Sequence, residues 1–103
     1  MFERRKNPSW SIHPGEILKE EFLKPMRISG YSLSKASGVN PQRVSDVVLQ
    51  KTGISADMAL LLGKYFSTTP EFWMNLQSAY ELHEATRTLK RQVSKIKPRQ
   101  SAA

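Results

Sequence analysis

The chain has 103 residues, no cysteine, 39% hydrophobic side chains and a formal charge of +7. That length fits one small domain with a modest core, and the missing cysteines exclude disulfides, thiolate nucleophiles and thiolate metal sites. No stretch approaches the ~20 apolar residues of a membrane helix, and no apolar run follows the charged start at residues 1–6, so no signal peptide is read and a cytoplasmic protein is expected.

The charge is unevenly placed. Residues 1–30 carry six basic and four acidic side chains, residues 31–86 carry four and five, and residues 87–103 carry six and none. The excess therefore belongs to the tail, and the net charge alone says little about a partner.

Residues 1–12 are polar and irregular, with Pro8 and an isolated Trp10. They form either a loose arm or a segment whose Trp10 folds back onto the core. At His13-Pro14-Gly15-Glu16 a helix begins, with proline at its first position and an acid in its first turn. Ile17, Leu18, Phe22 and Leu23 give it an apolar stripe at helical spacing, and Pro25 is expected to end it. Met26 and Ile28 read as packing residues in the connection.

Ser29 caps the second helix, although Ser32 stands where a capping box would place Glu or Gln. Leu33 and Ala36 are expected on its inner side, with small Ser34 where another helix comes close. Gly38 supplies a left-handed corner and Val39 plugs it. Asn40 is the expected N-cap of a third helix, from about Pro41 to Leu49, with Pro41 at its first position. Val44 and Val47 face inward, leaving Gln42, Arg43, Ser45 and Asp46 outward at the leading end.

After the loop Gln50–Ile54, Ser55 caps the apolar helix Ala56–Phe66, where Met58, Ala59, Leu61, Leu62, Tyr65 and Phe66 are read as the hydrophobic face. Thr69-Pro70-Glu71 opens a fifth helix with apolar Phe72, Trp73, Leu76, Ala79, Tyr80 and Leu82. Residues 85–97 could continue as helix, with Leu89, Val93 and Ile96 spaced by four and three, until Pro98. The expected architecture is all-α: an arm over 1–12, a five-helix domain over 13–84, and a basic helical extension or tail over 85–103.

Residues 29–48 have the pattern of a helix-turn-helix, whose second helix enters the major groove of DNA. A corner that merely packs two helices is the plainer reading of the same residues. Gln42 has the donor and acceptor for a bidentate pair with adenine, and Arg43 can pair with guanine or hold a phosphate. Asn40 and Ser45 suit backbone contacts. Asp46 repels phosphates; it either accepts from a cytosine amino group or pairs with Arg43 three residues away. Lys35, Lys51 and Thr52 flank the expected groove contact, each equally readable as a solvated side chain. The basic tail reads as a solvated segment rather than a second DNA contact.

Catalysis has little support: His13 reads as a helix-start residue, His83 as a surface residue, and no metal-ligand spacing, glycine-rich phosphate loop or nucleophile motif occurs. No cofactor is expected. A single recognition helix covers few base pairs, so a symmetric dimer is expected, with Phe72, Trp73, Leu76 and Tyr80 as its aromatic-rich interface.

The chain resembles the HigA-type (VapI-type) antitoxins of bacterial toxin–antitoxin modules, within the lambda-repressor-like helix-turn-helix superfamily. The resemblance rests on His13-Pro-Gly-Glu-Ile-Leu-Lys-Glu-Glu-Phe-Leu-Lys-Pro25, the helix-turn-helix, Gly53-Ile-Ser-Ala-Asp57 and Thr69-Pro-Glu-Phe-Trp-Met-Asn-Leu-Gln77, in order over residues 13–84. It implies a dimeric repressor that binds a palindromic operator ahead of its own operon and neutralises a RelE-like, ribosome-dependent mRNA-cleaving toxin. Carried onto this chain, the base-reading positions are Asn40, Pro41, Gln42, Arg43, Ser45 and Asp46. Ser29, Gly30 and Lys35, with Lys51 and Thr52, lie beside the DNA backbone. Two departures stand out: Leu49-Gln50-Lys51 replaces the usual Asn-Gly-Lys, and Asp46 holds a position that is often basic or polar. Two rival readings are a stand-alone regulator without a toxin and a protein- or RNA-binding adaptor on the same scaffold.

Overall fold

A computed structural model describes residues 12–99. The expectations for Trp10 and most of the 1–12 arm lie outside the described residues, though Ile12 itself is buried. Six helices follow in order. The first, α1, is one continuous rod of three hydrogen-bonding patterns: α-helical Pro14–Ile17, π-helical Leu18–Leu23 and α-helical Lys24–Met26. Next come α2 (Gly30–Ser37), α3 (Pro41–Val48), α4 (Ala56–Phe66), α5 (Pro70–Thr88) and α6 (Lys90–Ser94).

Pro25 does not end α1, contrary to the sequence expectation. In a regular α-helix the proline ring would collide with the carbonyl four residues back. Here the Lys24 N–H reaches the Lys19 carbonyl, five residues back, so the widened turn admits Pro25 and the helix runs on to Met26. It stops at Arg27, which is left-handed (φ 56°).

Side-chain caps open the other long helices. Ser29, Ser55 and Thr69 each accept from the backbone N–H three residues on, satisfying donors that the helix leaves unpaired. Gly38, at φ 84°, closes α2 with its N–H on the Ser34 carbonyl. The Ser34 hydroxyl donates to the Val39 carbonyl at 2.6 Å, locking the corner from inside.

The core gathers Leu18, Leu23, Leu33, Val39, Val44, Val47, Ile54, Met58, Ala59, Leu62 and Trp73. α2 packs on α3 and α4, α4 packs on α5, and the start of α1 touches both α3 and α5. Trp73 is 0% exposed. Phe22, Phe66 and Phe72 surround its rings, and its indole N–H donates to the Thr68 hydroxyl at 2.8 Å.

Two inward assignments are corrected. Ala36 is exposed, because the inner face of α2 runs through Leu33, Ser34 and the half-buried Ser37. Leu61 and Tyr65 also face outward, since Met58, Ala59, Leu62 and Gly63 fill the buried side of α4.

The boundary drawn between residues 84 and 85 falls inside α5, which runs unbroken to Thr88; Leu89 (φ −105°, ψ 13°) separates it from α6. Among the described residues no helix is long and apolar enough to cross a membrane.

Candidate nucleic-acid interface

α3 is short, and both of its ends are tied. At the leading end the Asn40 side-chain oxygen accepts from the Gln42 and Arg43 N–H groups at 2.8 and 3.4 Å, with Pro41 in the first position. At the trailing end Gln50 is left-handed (φ 63°), the Gln50 N–H reaches the Val47 carbonyl, and the Lys51 N–H reaches the Asp46 carbonyl. This paired closure is the Schellman arrangement, in which glycine usually takes the left-handed place.

α1 braces the same end. A Cβ added to Gly15 would stand 1.8 Å from the Val47 carbonyl oxygen, so only glycine lets the start of α1 approach α3 this closely. His13 holds that start in place. Its buried ring accepts the Gly15 N–H on Nδ1 at 2.9 Å, bonds to the Thr52 backbone, and meets the Tyr80 ring edge-on. Burial lowers the imidazole pKa, against the smaller raising effects of the Thr52 backbone and the Glu16 charge.

With Val44 and Val47 buried, the opposite side of α3 carries Gln42, Ser45, Asp46 and Leu49. Gln42 and Ser45 are exposed and Asp46 half-buried. Leu49, 60% exposed, is an apolar member of this face that sequence reading left out. Its signal was its spacing, four residues after Ser45 and seven after Gln42.

Arg43 lies on the flank of α3 and is half-buried. Its guanidinium donates to the Ser55 hydroxyl, which in turn donates to the Asp57 carboxylate. That hydroxyl, ahead of the Arg43 charge, holds the Asp57 carboxyl below its ordinary pKa. Of the two roles read for Asp46, the ion pair with Arg43 is not formed: Asp46 accepts from the Gln42 side-chain amide at 2.9 Å. At (i, i+4) the two side chains rise on one face, and Arg43 has a nearer partner on α4.

The residues expected beside the DNA backbone lie on α2 and in the loop after α3. Ser29 and Gly30 open α2, and Lys35 lies over the Tyr31 ring at 5.7 Å from its centroid. Lys51 and Thr52 are exposed in the loop after α3.

A second functional residue escaped the sequence reading. Buried Gln77 accepts the Ile54 N–H at 2.7 Å and donates to Glu81 at 2.7 Å, tying the loop after Thr52 to α5. Gly53 makes room, since a Cβ there would press on the Gln77 amide at 2.5 Å.

The residues expected at a dimer interface do not share one exposed surface. Trp73 is removed from that surface, being wholly enclosed by its own chain, while Phe72 and Leu76 pack against the core with part of their area outside. Tyr80, half-buried, lies against His13. Among the described residues, exposed apolar side chains recur further along, where Leu82, Leu89, Val93 and Ile96 are 68, 45, 58 and 64% exposed.

No family profile matches the chain. Individual proteins do. Over 80 residues it is 49% identical to virulence-associated protein I of Dichelobacter nodosus, across 78% of this chain and 74% of that protein. It is 34% identical to the antitoxin HigA-1 of Vibrio cholerae, across 91% and 89%. The solved structure of the Pseudomonas aeruginosa antitoxin HigA with higBA promoter superposes with a TM-score of 0.82 at 48% identity, across 85% of this chain and 97% of that one.

Proposed function

The chain belongs to the HigA-type antitoxin family of DNA-binding helix-turn-helix repressors, and on that premise we propose that it represses its own operon and neutralises a RelE-like mRNA-cleaving toxin. The observation that carries the DNA reading is the outward face of α3. Gln42, Ser45, Asp46 and Leu49 occupy one side of an eight-residue helix tied at both ends. Such a face offers base edges hydrogen-bonding groups and one apolar contact suited to a thymine methyl.

Gln42 and Ser45 face the bases, while Asn40 and Pro41 set the leading turn against the DNA backbone. Arg43, drawn toward Ser55, reaches a phosphate or a guanine at the edge of the site. Backbone N–H groups at the start of α2, at Ser29 and Gly30, together with Lys35, Lys51 and Thr52, hold phosphates on either side. These contacts set register and add salt dependence; the α3 face supplies specificity.

A second copy completes the operator reading. Ala79, Leu82, Thr86, Leu89, Val93 and Ile96 alternate three and four apart from α5 through α6 to the residues just after it, the spacing of a seam that packs against another helix. We place dimerisation on this seam. Two α3 helices then enter successive major grooves on one side of the duplex, about 34 Å apart.

The test has two arms. The purified protein should bind DNA from upstream of its own gene at least about 10³-fold more tightly than a scrambled duplex at equal salt. Co-expressed with the product of the adjacent gene, it should co-purify with that product and relieve its growth arrest. Equal affinity for both duplexes would remove the DNA reading. Operator binding with no co-purifying neighbour would make the protein a stand-alone regulator.

A further inference from the structure

Asp46 is the sole carboxylate between Glu21 and Asp57, and it sits on the face assigned above to base reading. A negative charge there repels phosphates, and nothing on α3 neutralises it, since Arg43 bonds to Ser55 instead. Its observed partner is the Gln42 side-chain amide, which donates from Nε2 to Asp46 Oδ1 at 2.9 Å. We infer that Asp46 is a positioning residue that fixes which way the Gln42 amide faces, and thereby makes Gln42 select adenine; this rests on the operator-binding reading above.

The chemistry follows from donors and acceptors. A glutamine amide carries an oxygen and an NH2 of nearly equal size, and an exposed one can turn either end toward a base. A carboxylate only accepts, so beside Asp46 the NH2 end is favoured and the oxygen is repelled. One of the two amide hydrogens then goes to Asp46. The other hydrogen and Oε1 remain side by side at the exposed tip. That pair matches adenine, whose major-groove edge offers N7 as acceptor and the N6 amino group as donor. Guanine offers two acceptors, N7 and O6, and would set O6 against Oε1. The orientation imposed by Asp46 thus turns an ambiguous side chain into one that separates adenine from guanine.

The cost and the gain fall on different DNA. The Asp46 charge weakens binding to every duplex, whereas the orientation helps only at a site with adenine opposite Gln42. Affinities of wild type, Asp46→Ala, Asp46→Asn, Gln42→Ala and Asp46→Ala/Gln42→Ala for the upstream duplex and its scrambled counterpart, at one salt concentration, separate the two. Asp46→Ala should bind the scrambled duplex more tightly than wild type, yet its operator-to-scrambled ratio should fall by about tenfold or more. Asp46→Asn, whose amide can donate to Oε1 as readily as accept from Nε2, removes the charge without fixing the orientation and should lose most of that ratio as well. In the Gln42→Ala background, removing Asp46 should leave the ratio unchanged.

A rise in both affinities by the same factor on Asp46→Ala would overturn the inference and leave Asp46 as a repulsive charge only. A further loss of ratio in the double variant would overturn it too, because Asp46 would then act without Gln42. A wild-type protein that does not distinguish the duplexes removes the operator-binding premise and the inference with it, an outcome legible before any variant is made.

Discussion

Gly15 and His13 show how single positions at the start of α1 control a helix that lies across the molecule. A methyl group at residue 15 has no free volume, because the atom it meets is a backbone carbonyl oxygen at 1.8 Å. Backbone cannot rotate away as a side-chain tip can, so α1 or α3 must move. Gly15→Ala is therefore expected to cost about 3 kcal/mol or more, read from urea unfolding, with operator binding lost along with the docking of α3.

His13 makes the same junction sensitive to acid. Burial holds its pKa below the ordinary 6.5, so below that pH the unfolded chain binds more protons than the folded one. The stability this residue supplies is complete above about pH 6.5 and declines as the pH falls from there toward the lowered folded value. Melting temperatures should drop as the pH is lowered from neutrality through 6.5. His13→Asn, which retains an N-cap acceptor, should flatten that slope; an unchanged slope would place the acid sensitivity elsewhere. From sequence alone His13 and Gly15 were legible as a helix start, since capping is local. Their contact with Thr52, Tyr80 and Val47 was not, because it joins segments more than thirty residues apart.

Among the elements, the N-terminal boundaries were the most readable part of the chain. Ser29, Asn40, Ser55 and Thr69 each accept from backbone in the first helical turn, and Pro41 and Pro70 follow their caps directly. The C-terminal ends were harder. Arg27, Gln50 and Ser67 all take the left-handed conformation that Gly38 takes at the end of α2, and no residue type announces it there. The π-helical turns of α1 left no sequence signal either, because Pro25 reads as a stop unless the hydrogen bonds before it slip by one residue. These left-handed ends yield a stability prediction. Gln50→Gly removes the Cβ penalty at φ 63° but loosens the unfolded chain, for a net gain of about 0.5–1 kcal/mol in urea unfolding. A loss of stability would mean that the Gln50 side chain contributes contacts of its own.

At the scale of the whole molecule, the globular body and the α5–α6 extension differ in how their apolar residues are used. Trp73 looked like an interface aromatic in the sequence, yet three phenylalanine rings enclose it within the chain. Aromatic content alone does not separate core from interface when both require large apolar area. The seam at Leu82, Leu89, Val93 and Ile96 is marked instead by exposure combined with the spacing of a packing helix, with the nearest body helices already paired among themselves. Leu89→Glu with Val93→Glu should turn a sedimenting dimer into a folded monomer and weaken operator binding at least about 100-fold, since half-site contacts no longer act together. A double variant that remains dimeric would move the interface off this seam.

The central claim is that the α3 face from Gln42 to Leu49 lies in the major groove, twice, on one side of the operator. Methylation protection of the DNA upstream of the gene measures this most directly, because guanine N7 lies in the major groove. Two short clusters of protected guanines are expected, centred about 10 base pairs apart on one side of the duplex and lost together in a Gln42→Ala/Ser45→Ala variant that folds normally. Protection absent from the major groove, or unchanged in that variant, would contradict it.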